Sequence, residues 1–355
     1  MRLIRVLALL VAAAALLAGV AVWRVAALLA RPLPIEEAVV KEVERGASLS
    51  AVARSLERAG VLAQPRLLAA WGRLTGDADR IQAGEYRIEP GTDPRGLLEQ
   101  LVAGRVLQRR LTLLEGWRFA EVRRALASAP RLEQTVAELS DEELMARLGR
   151  PGVSPEGRFF PDSYAYVAGT RDLELLERAA GRMERILEEV WATRAFGLPL
   201  ESKEEALVLA SLVEKETGLP EDRGMIAAVF LRRLARGMRL QTDASVIFGL
   251  GEDFDGNLTR SDLARPTPWN TYVHRGLPPT PIALPGRAAL EAAVDPPETD
   301  ALYFVARGDG SSAFSATLEA HRAAVRRFQL EGRREDYRSS PPPPAARPEQ
   351  KERRP

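Results

Sequence analysis

The stretch Ala206–Phe230, ALVLASLVEKETGLPEDRGMIAAVF, decides how this chain is read. It begins as an apolar helix and turns acidic at its end, with Leu207, Val208, Leu209, Leu212 and Val213 followed by Glu214, Lys215 and Glu216. Ser202, with Glu205 three residues on, is a capping-box pattern that starts the helix. Gly218 and Pro220 stop it, and Pro220, Glu221 and Asp222 open a second helix with a proline and acids in its first turn. The acids at 214 and 216 thus lie at the wrong end of the first helix for its dipole. For an exposed carboxylate that placement costs roughly 0.3–1 kcal/mol, less than one pKa unit. Burial can do more. Glu216 stands above Leu209, Leu212 and Val213, at spacings of seven, four and three, whereas Glu214 stands above the smaller Ala210 and Ser211. Glu216 is therefore the expected desolvated carboxyl, and desolvation raises a carboxyl pKa by up to about 3–5 units. A glutamate protonated near neutral pH is what glycosidic cleavage asks of its acid. The same pattern also describes an acidic, solvated helix end, so the rest of the chain has to choose.

With 355 residues the chain is long enough for two or three domains, each with a core. Its 46% hydrophobic and 28% charged residues are those of an ordinary globular protein. A formal net charge of +1 gives no reason to expect a nucleic-acid partner. There is no cysteine, and the two histidines, His274 and His321, lie far apart. That composition argues against Cys/His metal sites, thiol catalysis and disulfides, and no metal or cofactor is expected. No G-x-S-x-G nucleophile elbow is present.

The N-terminus carries Arg2 and Arg5, then an uncharged apolar run from Val6 to Trp23. As a helix that run spans roughly 27 Å, enough for a bilayer core. Trp23 suits an interfacial belt, Arg24 can snorkel, and the leading arginines put the N-terminus inside. A cleaved signal peptide ending near Gly19-Val20-Ala21 is the other reading. The uncleaved anchor is preferred for the length of the run, and either reading exports everything after about Arg31.

The expected class is α+β, in five parts. Residues 1–32 are the cytoplasmic N-terminus and anchor. Residues 33–105 hold a small βααβ unit of the kind seen in glycan-binding LysM modules, with a linker helix. Within it AVVKEV reads as a strand, Ser48 caps a helix through Arg58, a second helix runs from Pro65 to about Leu74, and GEYRIEP returns as a strand. Asp93 and Pro94 open the linker helix. Residues 106–200 connect, with strand, glycine and helix repeated in VLQRRLTLLEGWRFAEVRRALASA, helix-forming sequence from Leu132 to Leu148, and a long amphipathic helix from Asp172 to Thr193. Residues 201–332 form the domain of the acidic helix. Residues 333–355 are a Pro-rich, charged tail expected to be disordered.

The segments downstream of the second helix favour the catalytic reading. GMRLQTDASVIFGLG supplies Gln241, Thr242 and Asp243, side chains able to bond sugar hydroxyl and acetamido groups. TPWNTYVHRGLPPTPIALPG sets Asn270 and Tyr272 before a proline-clamped loop, a density of proline and glycine that fixes a backbone path. Upstream, EGRFFPDSYAYVAGT groups Phe159, Phe160, Tyr164 and Tyr166 with Glu156 and Asp162. Aromatic faces with polar tips suit sugar stacking, although each ring taken singly reads as a loop packing its own aromatics.

Together LEGW, EGRFFPDSYAY, LASLVEKET, FLRRLARGMRLQTDASVIFGLG, NTY and GLPPTPIALPG resemble the endolytic murein transglycosylase, or YceG-like, family, in order and over nearly everything from Val39 to Leu330. The resemblance implies an inner-membrane protein, single-pass with its N-terminus inside, whose periplasmic part joins a LysM-like subdomain to a lytic transglycosylase domain. It implies cleavage within nascent peptidoglycan strands, at the β-1,4 bond between N-acetylmuramic acid and N-acetylglucosamine, leaving 1,6-anhydro ends. It assigns the acid–base role to the second glutamate of E-K-E-T, here Glu216, the residue the helix face also selects. Gln241, Asp243, Asn270 and Tyr272 are then expected to position substrate, and Thr217 and Glu214 to orient the acid. Peptidoglycan synthases are implied partners. Two readings compete: a hydrolytic muramidase pairing Glu216 with Asp243 or Asp162, and a non-catalytic wall-binding or assembly protein. The long Pro-rich tail and Trp269 before Asn270 depart from the family pattern without touching the glutamate.

Overall fold

A computed structural model describes residues 2–216 and 219–331. Among them the helices are α1 (Arg2–Leu29), α2 (Leu49–Arg58), α3 (Pro65–Thr75), α4 (Pro94–Val102), α5 (Phe119–Ser128), α6 (Asp141–Arg147) and α7 (Asp172–Ala192). They continue with α8 (Lys203–Glu216), α9 (Pro220–Ala235), α10 (Asp243–Leu250), α11 (Arg260–Ala264), α12 (Arg287–Val294) and α13 (Leu318–Val325). The strands are β1 (Val39–Val43), β2 (Gly84–Ile88), β3 (Arg109–Thr112), β4 (Ser163–Tyr166), β5 (Tyr303–Ala306) and β6 (Ser312–Ser315), paired β1–β2, β3–β4 and β5–β6. The class is α+β, with small sheets among many helices. The Pro-rich tail expected to be disordered lies outside the described residues.

Two compact units divide the chain. The first comprises Met1–Arg110 with Pro130–Glu133 and Ala165–Thr170; the second comprises Leu111–Ala129, Gln134–Tyr164 and Arg171–Pro355. In the first, β1 and β2 run antiparallel from Val39↔Ile88 to Val43↔Gly84. The strand–helix–helix–strand order matches the sequence pattern, and local chemistry explains its ends. Ser48 Oγ accepts from Ala51 N at 3.3 Å, Asp93 Oδ1 accepts from Gly96 N at 2.7 Å, and Gly76 closes α3 at φ +76°, a conformation that glycine takes without cost. Leu49, Val52, Leu56, Leu68, Tyr86, Ile88, Leu97 and Leu101 form the core of this unit.

In the second unit α8 is the central element. Every residue from Ala206 to Val213 is buried, and Leu207, Leu209, Leu212 and Val213 join Met183, Phe230, Leu290 and Val294, from α7, α9 and α12, in one core. A helix apolar on all sides is stable in water only with other elements around it, which is the position α8 occupies.

Two expectations are corrected here. The helix-forming stretch from Leu132 to Leu148 is helical only in α6. Asp172, fully buried at the start of α7, accepts from Thr135 N at 2.9 Å and Val136 N at 3.2 Å, so this backbone donates to a carboxylate instead of to a helix. The aromatic group Phe159, Phe160, Tyr164 and Tyr166 is core and offers no stacking face to a sugar. All four rings are buried; Phe159 stacks on Phe119 at 5.3 Å, and the tyrosine hydroxyls donate to Phe160 O (2.6 Å) and Pro130 O (3.0 Å).

Candidate active site

Glu216 closes α8, on the face set by Leu209, Leu212 and Val213, all of which are fully buried. The residue is half-buried by surface, but its carboxyl is recessed, and desolvation pushes its pKa up to about 7. A hydrogen bond from Thr242 and the positive charge of Arg233 pull the other way, and Asp243 adds to the rise.

Thr242 Oγ1 donates to Glu216 Oε1. Its own position is fixed by a buried hydroxyl cluster. Thr242 N donates to Thr271 Oγ1 (3.0 Å), Ser245 Oγ donates to Thr242 O (2.9 Å), and Ser245 Oγ lies 2.9 Å from Thr271 Oγ1. Beside it Tyr272 Oη donates to Asp243 Oδ1 at 2.6 Å. Burial, this bond and the charge of Asp243 raise the Tyr272 pKa, so the phenol stays a donor.

Gln241 is exposed and sits at φ +56°, a left-handed conformation that strains a residue with a Cβ by about 1–2 kcal/mol. Arg233 of α9 holds that turn. Buried at 7% exposure, it donates through Nε to Leu302 O (2.7 Å) and through Nη1 to Leu240 O (2.7 Å) and Gln241 Oε1 (3.4 Å). Glu216, Thr242, Asp243, Tyr272 and Gln241 are thus brought together.

The remaining candidates go elsewhere. Asn270 is fully buried. Its Nδ2 donates to Asp262 O, Leu263 O and Arg265 O at 3.3, 3.1 and 2.8 Å, and its Oδ1 accepts from Tyr272 N at 2.9 Å. With its amide so engaged it cannot touch a sugar; it ties the end of α11 to the Tyr272 loop. Glu214 turns away from Glu216 and accepts from Gly286 N at 3.0 Å, capping α12. Burial raises its pKa, the bond from Gly286 opposes the rise, and Glu115 adds to it. Asp162 pairs with Arg182 at 2.6 Å. Thr217 lies outside the described residues.

The sequence motifs converge along α8. Lys215 Nζ donates to Gly116 O (3.2 Å), Gly116 N to Leu284 O (2.9 Å), Leu284 N to Trp117 O (2.7 Å) and Ile282 N to Ser211 Oγ (3.0 Å). Sequence reasoning placed Thr242 among the sugar-bonding side chains but missed its bond to Glu216, 26 residues away in the chain. Glu156 caps α5 through Phe119 N at 3.0 Å, and burial pushes it to about 7 as well, against that bond and nearby Arg118.

The profile of the YceG-like family matches residues 41–327. The endolytic murein transglycosylase of Bacillus subtilis strain 168 is 30% identical over 303 residues, 81% of this chain and 83% of its own length. That of Streptococcus pneumoniae strain D39 is 26% identical over 74% of this chain, which spans about half, 53%, of that longer relative. A crystal structure of a YceG-like protein from Listeria monocytogenes aligns with a TM-score of 0.55 at 27% identity, covering 81% of this chain and 99% of that one. With the family profile covering most of its length, this chain belongs to the YceG-like family.

Proposed function

We propose that this protein is an endolytic peptidoglycan lytic transglycosylase with Glu216 as its single acid–base. The observation that carries the reading is a recessed carboxyl whose pKa is about 7, beside an exposed rim of polar side chains. The name shared by its curated relatives supports the substrate. In the first step protonated Glu216 gives its proton to the oxygen linking C1 of N-acetylmuramic acid to C4 of N-acetylglucosamine, and the C1–O bond breaks, leaving that oxygen as the 4-hydroxyl of N-acetylglucosamine. The carboxylate left behind then takes the proton of the muramic acid 6-hydroxyl, whose oxygen bonds to C1. A 1,6-anhydro end forms, no water is consumed and Glu216 is protonated again. An internal nucleophile needs no second carboxylate, unlike either hydrolytic geometry.

Gln241, Asp243 and Tyr272 position the glycan, Thr242 aims the acid, and Asn270 acts by fixing the loop. The catalytic part is the region 201–332, with 106–200 connecting to it, and the βααβ unit within 33–105 is a LysM-like brace or glycan tether. Arg5–Leu29 is long and apolar enough to cross a membrane, and its large side chains between Val6 and Trp23 stand exposed, for example Leu9 and Leu16 at 70%, which favours lipid around it. We read α1 as an uncleaved inner-membrane anchor, N-terminus inside, with the rest periplasmic and within reach of peptidoglycan synthases.

The test is product chemistry on uncrosslinked strands. Mass spectrometry should find ends one water lighter than hydrolytic ones, formed about 10²–10⁴-fold more slowly by Glu216→Gln. Ordinary reducing ends would make the protein a hydrolase; strand binding with no cleavage would leave the wall-binding reading.

A further inference from the structure

The end of α1 is built into the first unit. Leu29 is fully buried, and Leu33, 5% exposed, is tied down by its N–H to Thr92 O at 2.8 Å. Between this collar and the α2–α3 connection lies an open cavity of about 290 Å³. Leu29, Leu33, Leu62 and Leu68 make its floor, with Leu28 and Leu67 along its side. Arg31, the one charged lining residue among those described, is exposed and has no ion-pair partner among the described residues.

Depth says what can fill it. If Val6–Trp23 fills the hydrocarbon core, Leu28 and Leu29 stand roughly 8–9 Å beyond its edge, within or just above the headgroup layer. An apolar cavity gives water few hydrogen bonds and suits an apolar filler. At that depth the abundant one is an acyl chain. We infer that this cavity is a lipid site, in which one acyl chain of a glycerophospholipid from the leaflet where α1 emerges lies against Leu62, Leu67 and Leu68, with its phosphate at Arg31. Such a lipid would fix the anchor to the unit it carries. The inference rests on the reading of α1 as a membrane anchor.

The full-length protein would be reconstituted in vesicles containing phosphatidylglycerol with a diazirine on one acyl chain, irradiated, and mapped by mass spectrometry. Label is expected on α1 and also on residues 62–68. Leu67→Trp should cut the second set by about five-fold or more, and so should Ala63→Trp, which blocks the mouth without entering the core. Leu74→Trp, at an 81% exposed position on the same helix, should leave it unchanged. Label on α1 alone, or label at 62–68 that both blocking variants retain, would overturn the site while keeping the anchor. Absence of label from α1 as well would remove both.

Discussion

At Glu216 two effects oppose each other: loss of water raises the pKa, while the Thr242 hydroxyl and the Arg233 charge lower it, and the balance stands at about 7. Because the folded value exceeds the ordinary 4.5, the stabilising contribution is complete below about 4.5 and is lost as pH rises through about 7. Glutamine does not titrate and can still accept from Thr242. Glu216→Gln should therefore be nearly neutral for stability at pH 5 and stabilising by about 1–3 kcal/mol at pH 8, the lower figure allowing for its partial exposure. Denaturant titrations at both pH values check this, and comparison with the parent cancels Glu156, which titrates in the same range. An equal difference at both values would mean the carboxyl is solvated. Activity should fall as pH rises past about 7 without the acidic limb that a second, basic carboxylate would add. Thr242→Val removes a lowering influence, so that falling limb should move to higher pH, and loss of a bond to a charged group should slow turnover about ten- to hundred-fold. Thr242→Ser should restore both; a lower melting temperature with an unmoved limb would make Thr242 merely structural. The apolar face below Glu216 is legible in the sequence, and Leu209, Leu212 and Val213 are all buried. The part played by Asn270 is not legible, because an amide bonds a sugar and a backbone carbonyl equally well, and only the fold decides between them.

Among the elements, α8 owes its place to being apolar all round, and the loops around it owe theirs to small residues at fixed points. Gly157 combines φ +74° with a packing demand: a Cβ there would meet Pro281 Cβ at 2.5 Å and the Ala283 carbonyl at 3.3 Å. That contact sets EGRFF against PTPIALPG, the segment whose Ile282 N–H also binds Ser211 of α8. Gly157→Ala should cost about 2–4 kcal/mol from the left-handed backbone and the overlap together. A calorimetric melt lowered by less than a degree or two would mean the loop yields. Helix ends are the most legible features, since Ser48, Asp93 and Gly76 act on their immediate neighbours. The segment from Leu132 to Ser140 is not, because its ordering carboxylate, Asp172, comes from about forty residues away and no local preference announces it.

For the whole molecule, the division into two units makes a claim about cooperativity. The chain leaves the first unit after Arg110 and returns at Pro130–Glu133 and Ala165–Thr170. The first return delivers Arg131, held at φ +63° and bonded to Glu42 and, at 3.0 Å, to the buried Glu85, which Arg109 also pairs. Gly169 N to Arg131 O (3.0 Å) and Glu133 N to Thr170 O (2.9 Å) fasten the two returning pieces together. Arg131→Ala leaves Glu85 buried with one partner fewer. Since Arg131 itself is 45% exposed, water can replace part of what it supplies, so the variant should be less stable but still folded. Glu85→Gln in the same background should recover most of the lost stability, because the charge that needs a partner is gone. Each unit has its own core, so the loss should stay local. Hydrogen exchange at β1 and β2 should speed by about five- to a hundred-fold, while amides of Ala206–Val213 in α8 keep their protection. Equal acceleration in α8 would show that the units open as one body, and that an anchor-side defect reaches the glutamate directly.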